Sequence, residues 1–268
     1  MADVSPRTEL RKRRRHRRLI AFAAFAVVLL IVAATGVFVA TRDTDQAAPK
    51  PPPSTLPDNT SGISTSYAAA PLRAAVTKGG DVAVYASPDA SAQPTTTLSK
   101  QTEYTLPRSF LVFDQYQDWL HVYLPIRPND ATGWIKSSDV NITPLDYQVK
   151  VSLAQRKLWL IKNGVVQFDA PAAIGTDENP TPTGVFYYTD PLDLASDPGT
   201  AYGVFAIGLS GHSNTLSEFA GGDGQIAVHG TNDPGNIGNK VSHGCVRVNN
   251  DIILKLSKLP LGTPVVIT

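Results

Sequence analysis

The chain has 268 residues and is nearly neutral, with 24 Lys and Arg residues against 23 Asp and Glu residues. This balance hides an uneven distribution, because residues 1–18 hold eight of the basic residues and two of the acidic ones, which leaves residues 19–268 with a charge of about −5. An acidic body argues against nucleic acid as a partner, and a single cysteine excludes an internal disulfide framework. The length allows one or two folded domains.

The N-terminal region predicts export across a membrane. Residues 1–18 form a basic tail, and Leu19 to Ala40 is a 22-residue run without a charged side chain. Because about 20 apolar residues cross a bilayer as a helix, we predict a transmembrane helix at residues 19–41 with the basic tail in the cytoplasm. A cleaved signal peptide is the alternative, and both interpretations place the rest of the chain outside the cytoplasm.

Residues 42–74 are rich in proline, serine and threonine and predict an extended linker that buries no core. Residues 75–144 then predict a small β domain, because short apolar runs alternate with turn residues. The predicted strands are Asp81–Tyr85, Phe110–Phe113, Trp119–Leu124 and Gly133–Ile135. Such close spacing is typical of a small barrel or sandwich.

Three short motifs of this region resemble a bacterial SH3-like domain: Val84–Pro88, Asp118–Val122 and Gly133–Lys136. Members of that family often bind cell-wall peptide or glycan, so the resemblance implies a wall-binding module. A spacer that packs on the following domain is the alternative interpretation.

Residues 147–268 predict a second domain, which is also mainly β. Asn163-Gly164 between two apolar runs is the strongest short signal of a hairpin. Asn250 to Leu259 carries its apolar residues on one face and predicts the clearest helix, and Asn214 to Ala220 is a candidate for a further helical turn. Pro180 to Gly184 predicts a turn that fixes the sheet.

The only cysteine, Cys245, lies among glycine, histidine and arginine, which favours a reactive thiol over a buried hydrophobic one. A thiol with an ordinary pKa of roughly 8.5 is mostly protonated at neutral pH, so it needs a nearby base. His229 is the preferred base, because it ends an apolar run, Ile226 to Val228, that predicts a strand and therefore a rigid mount. His243 is the other histidine close to the thiol in sequence.

His229-Gly230-Thr231, a loop rich in glycine and asparagine, and then Ser242 to Arg247 together resemble the active-site signature of the bacterial L,D-transpeptidase catalytic domain family. Pro180 to Gly184 and Leu261 to Val265 fit the same family, so the resemblance covers residues 147–268. It implies a catalytic domain of β-sandwich or barrel type with one or two short helices. The whole chain is thus predicted to be mainly β, with a membrane-anchor helix and a small SH3-like barrel before the catalytic domain.

The resemblance also implies a reaction, the formation of 3→3 crosslinks between peptidoglycan stem peptides. The thiolate of Cys245 would attack the carbonyl after the third residue of one stem, D-alanine would leave, and an amine of a second stem would resolve the thioester. His229 would accept the thiol proton and later return it to the leaving amine. The carbonyl of Gly230 would orient the imidazole.

The turn before the thiol is expected to stabilise the oxyanion. Gly244 lets the main chain approach the substrate, so that the amides of Gly244 and Cys245 can donate to the developing charge. Ser242 and His243 would shape this turn, with Ser242 bonded to a neighbouring backbone group.

Three further residues are candidates for substrate binding. Arg247 would either hold a carboxylate of the stem peptide in bidentate fashion or pair with an acidic side chain. Tyr202 and His212 lie in the glycine-rich run before His229 and are candidates for the wall of the cleft. A solvated loop position is equally open for His212.

Three alternatives to the transpeptidase remain open from the residues alone. His229, His243 and Cys245 are all zinc-ligand types, although His-x-Cys is not a usual ligand pair and no carboxylate lies beside it. A catalytically silent wall-binding protein is the second alternative. Water as the acceptor is the third, and it would give an L,D-carboxypeptidase or an amide hydrolase. We expect no cofactor and no metal, and we expect the membrane and peptidoglycan stem peptides as partners.

Overall fold

The computed structural model describes residues 72–268. The predicted basic tail, the predicted transmembrane helix at residues 19–41 and all but the last three residues of the predicted linker lie outside the described residues. Across the described part of the chain, no helix combines the length and the apolar character that a membrane span requires.

Residues 72–145 form the N-terminal lobe, which is built of seven strands. They are β1 (Arg73–Thr77), β2 (Val82–Val84), β3 (Thr96–Leu98), β4 (Ser109–Tyr116), β5 (Trp119–Tyr123), β6 (Thr132–Lys136) and β7 (Val140–Pro144). Five of them make an antiparallel sheet in the order β6-β5-β4-β1-β7. The hairpin of β2 and β3 joins β6 through an isolated bridge between Tyr85 and Trp134.

The four strands predicted in this lobe are confirmed as β2, β4, β5 and β6. Their alternating apolar residues fill one core, in which Val82, Phe110, Leu120 and Ile135 are fully buried. Strand β1 begins at Arg73, two residues before the predicted start of the lobe, because the small side chains of its first half are buried between neighbouring strands. The SH3-like identity of the lobe stays a prediction.

Residues 146–268 form the C-terminal lobe, which holds ten strands and one α-helix. They are β8 (Tyr147–Ser152), β9 (Lys157–Lys162), β10 (Val165–Pro171), β11 (Ile174–Gly175), β12 (Gly184–Asp193), β13 (Phe205–His212), β14 (Gln225–His229), β15 (Lys240–Ser242), β16 (Val246–Arg247), α1 (Asn250–Leu256) and β17 (Pro264–Ile267). Eight strands form one mixed sheet in the order β10-β9-β8-β17-β12-β13-β14-β16. The mainly β prediction for the chain is therefore confirmed for the residues described.

The predicted hairpin is confirmed between β9 and β10. Asn163 and Gly164 both have positive φ, at 48° and 78°, which is the backbone that a two-residue hairpin turn requires. Helix α1 ends at Leu256 rather than at the predicted Leu259, and its buried Ile253 and Leu256 pack toward β13 and β14.

The predicted helical turn at Asn214 to Ala220 is wrong. This segment forms a loop whose amides bond to a side chain instead of to the helical i−4 carbonyls, since Thr215 and Leu216 both donate to the Ser213 hydroxyl.

The two lobes share a core and fall within a single compact unit. Leu111 of the N-terminal lobe packs with Tyr187 of β12, and both are fully buried. The Tyr187 hydroxyl donates to the carbonyl of Tyr123 at 3.1 Å, and the Ser109 hydroxyl donates to the carbonyl of Tyr188 at 3.0 Å. Apolar packing and paired polar groups therefore hold the lobes together.

Candidate active site

The site is assembled by two neighbouring parallel strands. In the pairing of β14 with β16, Val228 lies beside Val246 and His229 beside Arg247. Cys245 immediately precedes β16, so it lies one step along the chain from this pairing. Because side chains alternate along a strand, Cys245 and Arg247 share a face, and the register gives His229 the same face. The strand register, and not the loop between the motifs, therefore brings the predicted residues together.

His229 is buried, with 2% of its surface exposed. Its Nδ1–H donates to the carbonyl of Gly230 at 2.6 Å, since a carbonyl can only accept. Burial lowers the pKa of His229 to about 4, the Gly230 bond raises it in part, and the charge of Arg247 lowers it further. The ring is therefore neutral at neutral pH, with its lone pair on Nε2.

Cys245 is half-buried at the end of the turn. Burial raises the pKa of its thiol, while a hydrogen bond from the Ala227 backbone and the charge of Arg247 oppose that shift. The thiol is therefore protonated at neutral pH. Together with the neutral imidazole of His229, it forms an uncharged pair in the resting site.

The turn before Cys245 is closed by a single hydroxyl. Ser242 donates through Oγ to the carbonyl of Cys245 at 2.6 Å, as predicted, and its Oγ accepts from the amide of Gly244 at 3.1 Å. Gly244 has φ of +120°, a backbone conformation in which a side chain is strained. The Gly244 amide is thus already bonded, which departs from its predicted role as an oxyanion donor.

A cleft of about 190 Å³ opens over this pair. Cys245, His229, Arg247 and Tyr202 all line it, together with the turn residues Ser242 and His243. The opposite wall is mostly apolar and comes from the segment after β13, with Leu216, Phe219 and Ala220 among its lining residues. One cleft is thus lined by a thiol, an imidazole, a guanidinium and an apolar surface.

Arg247 pairs with none of the acidic side chains that the structure describes. Within residues 72–268 no carboxylate forms an ion pair with it, and its buried Nε has no hydrogen-bond partner. Of the two roles predicted for Arg247, structural pairing with an acid is therefore not seen in this part of the chain. Tyr202 lies against the base, with its ring centroid 4.8 Å from that of His229.

The two other histidines predicted for the site, His243 and His212, lie in different places. His243 is exposed and packs on Phe219, with ring centroids 5.0 Å apart, at the mouth of the cleft. His212 is buried, its Nε2–H donates to the carboxylate of Asp223 at 2.9 Å, and it lines a second cavity of about 170 Å³ between the lobes. The structure therefore brings His243, but not His212, to the cleft that holds Cys245.

Asn250 is a structural part of the site that the sequence motifs did not reveal. Its Oδ1 accepts from the Thr231 amide at 3.1 Å, and its Nδ2 donates to the Thr231 carbonyl at 3.1 Å. A side chain at Gly230 or Gly203 would overlap this amide, so both glycines are needed for its approach. Asn250 therefore fixes the backbone turn that carries His229 and its carbonyl partner.

Comparisons with known proteins agree with this geometry. The family model of the YkuD L,D-transpeptidase catalytic domain matches residues 146–267. Over 124 residues the chain is 32% identical to a provisionally named L,D-transpeptidase, YkuD of Bacillus subtilis (strain 168), in a match that covers 46% of this chain and 66% of the relative. Over 129 residues it is also 32% identical to the YkuD protein of Bacillus licheniformis, covering 48% of this chain and 69% of the relative.

The chain spans about two thirds of the length of these curated relatives. Among solved structures, an L,D-transpeptidase from Mycobacterium smegmatis aligns with a TM-score of 0.38 and 16% identity, over 60% of this chain and 90% of that one. The sequence matches and the family model show that the chain belongs to the YkuD family of L,D-transpeptidase catalytic domains, with that domain at residues 146–267.

Proposed function

We propose that this protein is a peptidoglycan L,D-transpeptidase that forms 3→3 crosslinks between stem peptides through a thioester on Cys245. The observation that carries the proposal is the shared cleft, which is lined by a thiol, a neutral imidazole and an arginine that forms no ion pair within residues 72–268. Each of these groups has a separate task in acyl transfer.

The acylation step starts from the uncharged pair. As the sulfur of Cys245 attacks the carbonyl carbon, its proton moves to Nε2 of His229, because Nδ1–H is held by the Gly230 carbonyl. The new C–S bond forms, the amide C–N bond breaks, and His229 returns the proton to the departing D-alanine amine. A positioned base of this kind contributes about 10²–10⁴-fold to the rate.

The oxyanion needs a donor other than Gly244. The Gly244 amide is bonded to Ser242, which leaves the amide of Cys245 as the remaining backbone donor of the predicted turn. Ser242 holds the two ends of this segment, because its hydroxyl accepts from the Gly244 amide and donates to the Cys245 carbonyl, on either side of the Gly244–Cys245 peptide. One such donor is worth about 3 kcal/mol of transition-state stabilisation.

Arg247 recognises the substrate through its charge. Its guanidinium is available to a carboxylate of the stem peptide, and an arginine fork binds carboxylates in bidentate fashion. The same charge favours the thiolate of Cys245 and disfavours protonated His229. Arg247 therefore adds to the burial that keeps the imidazole in its basic form.

The second step decides between transferase and hydrolase. An amine attacks the thioester and gives its proton to His229, the new amide forms as the C–S bond breaks, and His229 passes the proton to the departing sulfur of Cys245, which restores the uncharged pair. The apolar wall of Leu216, Phe219 and Ala220 favours an aliphatic amine over water as the acceptor. An L,D-carboxypeptidase would use the same residues with water in this step.

The reaction takes place outside the cytoplasm in this proposal. Residues 19–41 anchor the chain as a transmembrane helix, residues 1–18 stay in the cytoplasm, and both lobes face the cell wall. The N-terminal lobe, with its resemblance to SH3-like domains, contacts wall material beside the catalytic domain.

The test is mass spectrometry of the products from a purified tetrapeptide stem, with and without a second stem as the amine acceptor. A crosslinked dimer supports the transferase, and free tripeptide alone would assign a hydrolase. Cys245→Ala is expected to lower activity by about 10⁴-fold or more while its thermal unfolding stays close to that of the wild type, because the thiol is the nucleophile. Full activity of Cys245→Ala would refute the thioester.

An adduct test isolates the first step. The family resemblance implies that a carbapenem acylates Cys245, so the intact mass of the wild type should rise by one inhibitor. Cys245→Ala should show no such increase. An adduct on the Cys245→Ala variant would place acylation at another residue.

A further inference from the structure

The loop between β13 and β14, residues 213–224, forms one wall of the Cys245 cleft. Ser213, Leu216, Phe219 and Ala220 line the cleft, and the ring of Phe219 reaches that of His243 beside the nucleophile. Any shift of this loop therefore changes the surface that faces the substrate.

The loop has little packing of its own. Most of its residues are exposed, including Phe219 with 40% of its surface accessible. Few hydrogen bonds form within the loop. The Ser213 amide donates to the Gly224 carbonyl at 2.8 Å, and an isolated bridge joins Phe219 and Gly222. The amides of Thr215 and Leu216 donate to the Ser213 hydroxyl. Few buried apolar contacts make such a segment prone to local opening.

Arg127 of the N-terminal lobe binds three carbonyls of this loop. Its Nη1 donates to Ser213 at 2.6 Å, and its Nη2 donates to Leu216 at 2.9 Å and to Asp223 at 2.8 Å. The three acceptors come from the start, the middle and the end of the loop. One guanidinium therefore joins the start, the middle and the end of the loop to a single point of the N-terminal lobe.

Asn129 holds the residue before the loop from the same side. Its Nδ2 donates to the His212 carbonyl at 2.8 Å and to Asn214 Oδ1 at 3.1 Å, and its Oδ1 accepts from the His212 amide at 2.9 Å. The side-chain amide of Asn129, in the N-terminal lobe, therefore bonds to the backbone of the last residue of β13 as a neighbouring strand would.

The backbone at Gly224 makes room for this contact. Gly224 has φ of +78°, and a side chain there would meet the Leu216 carbonyl and the guanidinium of Arg127. The absence of a side chain at Gly224 therefore leaves the space that the Arg127 guanidinium occupies beside the loop.

We propose that Arg127 and Asn129 are positioning residues for the transpeptidase: they hold loop 213–224 in the conformation that forms the substrate-binding wall of the Cys245 cleft. This inference rests on the proposed function. Neither residue lines the cleft, and both lie in the other lobe, so they act through the loop.

The expected effect is on substrate binding more than on the chemical step. Cys245 and His229 are placed by β14 and β16, which Arg127 and Asn129 do not touch. If loss of the guanidinium leaves the loop in its binding conformation for about a tenth of the time, KM rises roughly tenfold while kcat changes little. Loss of Asn129 removes contacts at one end of the loop, so a smaller rise is expected.

The experiment uses the full-length protein and measures KM and kcat per active thiol with the tetrapeptide stem. Arg127→Ala, Asn129→Ala and Arg127→Lys are compared with Arg73→Ala, a matched control that removes an exposed arginine bonded to Gln115 within the N-terminal lobe. Arg127→Lys should fall between wild type and Arg127→Ala, because an ammonium lacks the planar fork that reaches three carbonyls. Arg73→Ala should match the wild type.

Amide hydrogen exchange over residues 213–224 gives a readout that does not depend on turnover. Faster exchange in Arg127→Ala and Asn129→Ala, with a raised KM, supports the proposal. A KM within twofold of wild type in both variants would overturn it, whatever the exchange rates. If the wild type forms no crosslink, the proposed function is wrong. In that case, unchanged amide exchange over residues 213–224 in both variants would show separately that Arg127 and Asn129 do not position the loop.

Discussion

A cavity within the C-terminal lobe and a cavity between the two lobes are each lined by a buried histidine at the end of a strand, and the histidines differ in their partners. His229 at the end of β14 bonds to a backbone carbonyl, whereas His212 at the end of β13 bonds to the carboxylate of Asp223. Gln225 lines both cavities and separates them. The difference shows that burial alone does not make a histidine a base for the thiol.

The carbonyl partner fixes a tautomer without adding a charge. His229 therefore stays neutral and keeps its Nε2 lone pair within the cleft that holds Cys245. The carboxylate beside His212 instead makes an ion-pair type of contact that links β13 to the start of β14, in a cavity that contains no thiol. The surroundings of His229 suit proton transfer, whereas those of His212 suit a structural contact that holds the two lobes and loop 213–224 in place.

The largest effect that tests this contrast is the exchange of either histidine for alanine. His229→Ala should lower kcat by about 10³-fold, because the thiol loses its base. His212→Ala should leave kcat per folded molecule within about twofold and lower the free energy of unfolding by about 0.5–1.5 kcal/mol, because the hydrogen bond to the half-exposed Asp223 is lost. Turnover normalised to active thiol and chemical denaturation measure the two quantities. Equal losses of kcat in both variants would remove the distinction.

A pH profile sharpens the same contrast. Since the pKa of His229 is about 4, the imidazole accepts a proton at every pH above that value, and kcat/KM should fall only as pH drops through about 4. At pH 5 about 90% of the imidazole would be basic, against roughly 3% for a histidine with an ordinary pKa of 6.5, a contrast of about 30-fold. An acid limb near 6.5 in the profile of kcat/KM would contradict the assigned environment.

The smallest expected effect concerns the support under His229. Asn250→Ala removes the bonds to both backbone groups of Thr231, so kcat should drop by roughly tenfold, as the turn that presents the carbonyl of Gly230 loosens. Asn249→Ala is a matched control, because Asn249 precedes the helix but makes no side-chain capping bond. The two variants are compared by kcat per active thiol. Equal kcat values would show that the Asn250 amide does not support the base.

The elements predicted best from the sequence are those with strong local signals. The Asn163-Gly164 hairpin and helix α1 follow from turn residues and from apolar periodicity, and both are present. Strand β13 was not predicted, because Ser210, Gly211 and His212 at its end look like a loop. A side chain at Gly211 would overlap the ring of Phe186, so the glycine serves tight packing between strands.

The residues of the site also divide into those with a local sequence signal and those without one. Motif order and chemistry point to Cys245 and His229 as the catalytic pair, which stays a prediction, and the register of β14 with β16 places the two residues on neighbouring strands. The roles of Gly244, His212 and Asn250 depend on contacts between residues far apart in sequence, such as the Asn250 amide beside Thr231. No local pattern carries that information.

The core shared by the lobes sets the size of the smallest autonomous part of this enzyme. Tyr187 is fully buried and Val185 nearly so, and both pack on residues that precede the family domain, such as Leu111 and Ala74. A fragment that begins at residue 146 would expose this hydrophobic face of β12 to solvent, and we expect such a fragment to aggregate. The family domain at residues 146–267 is therefore smaller than the part of this chain that we expect to fold and stay soluble on its own.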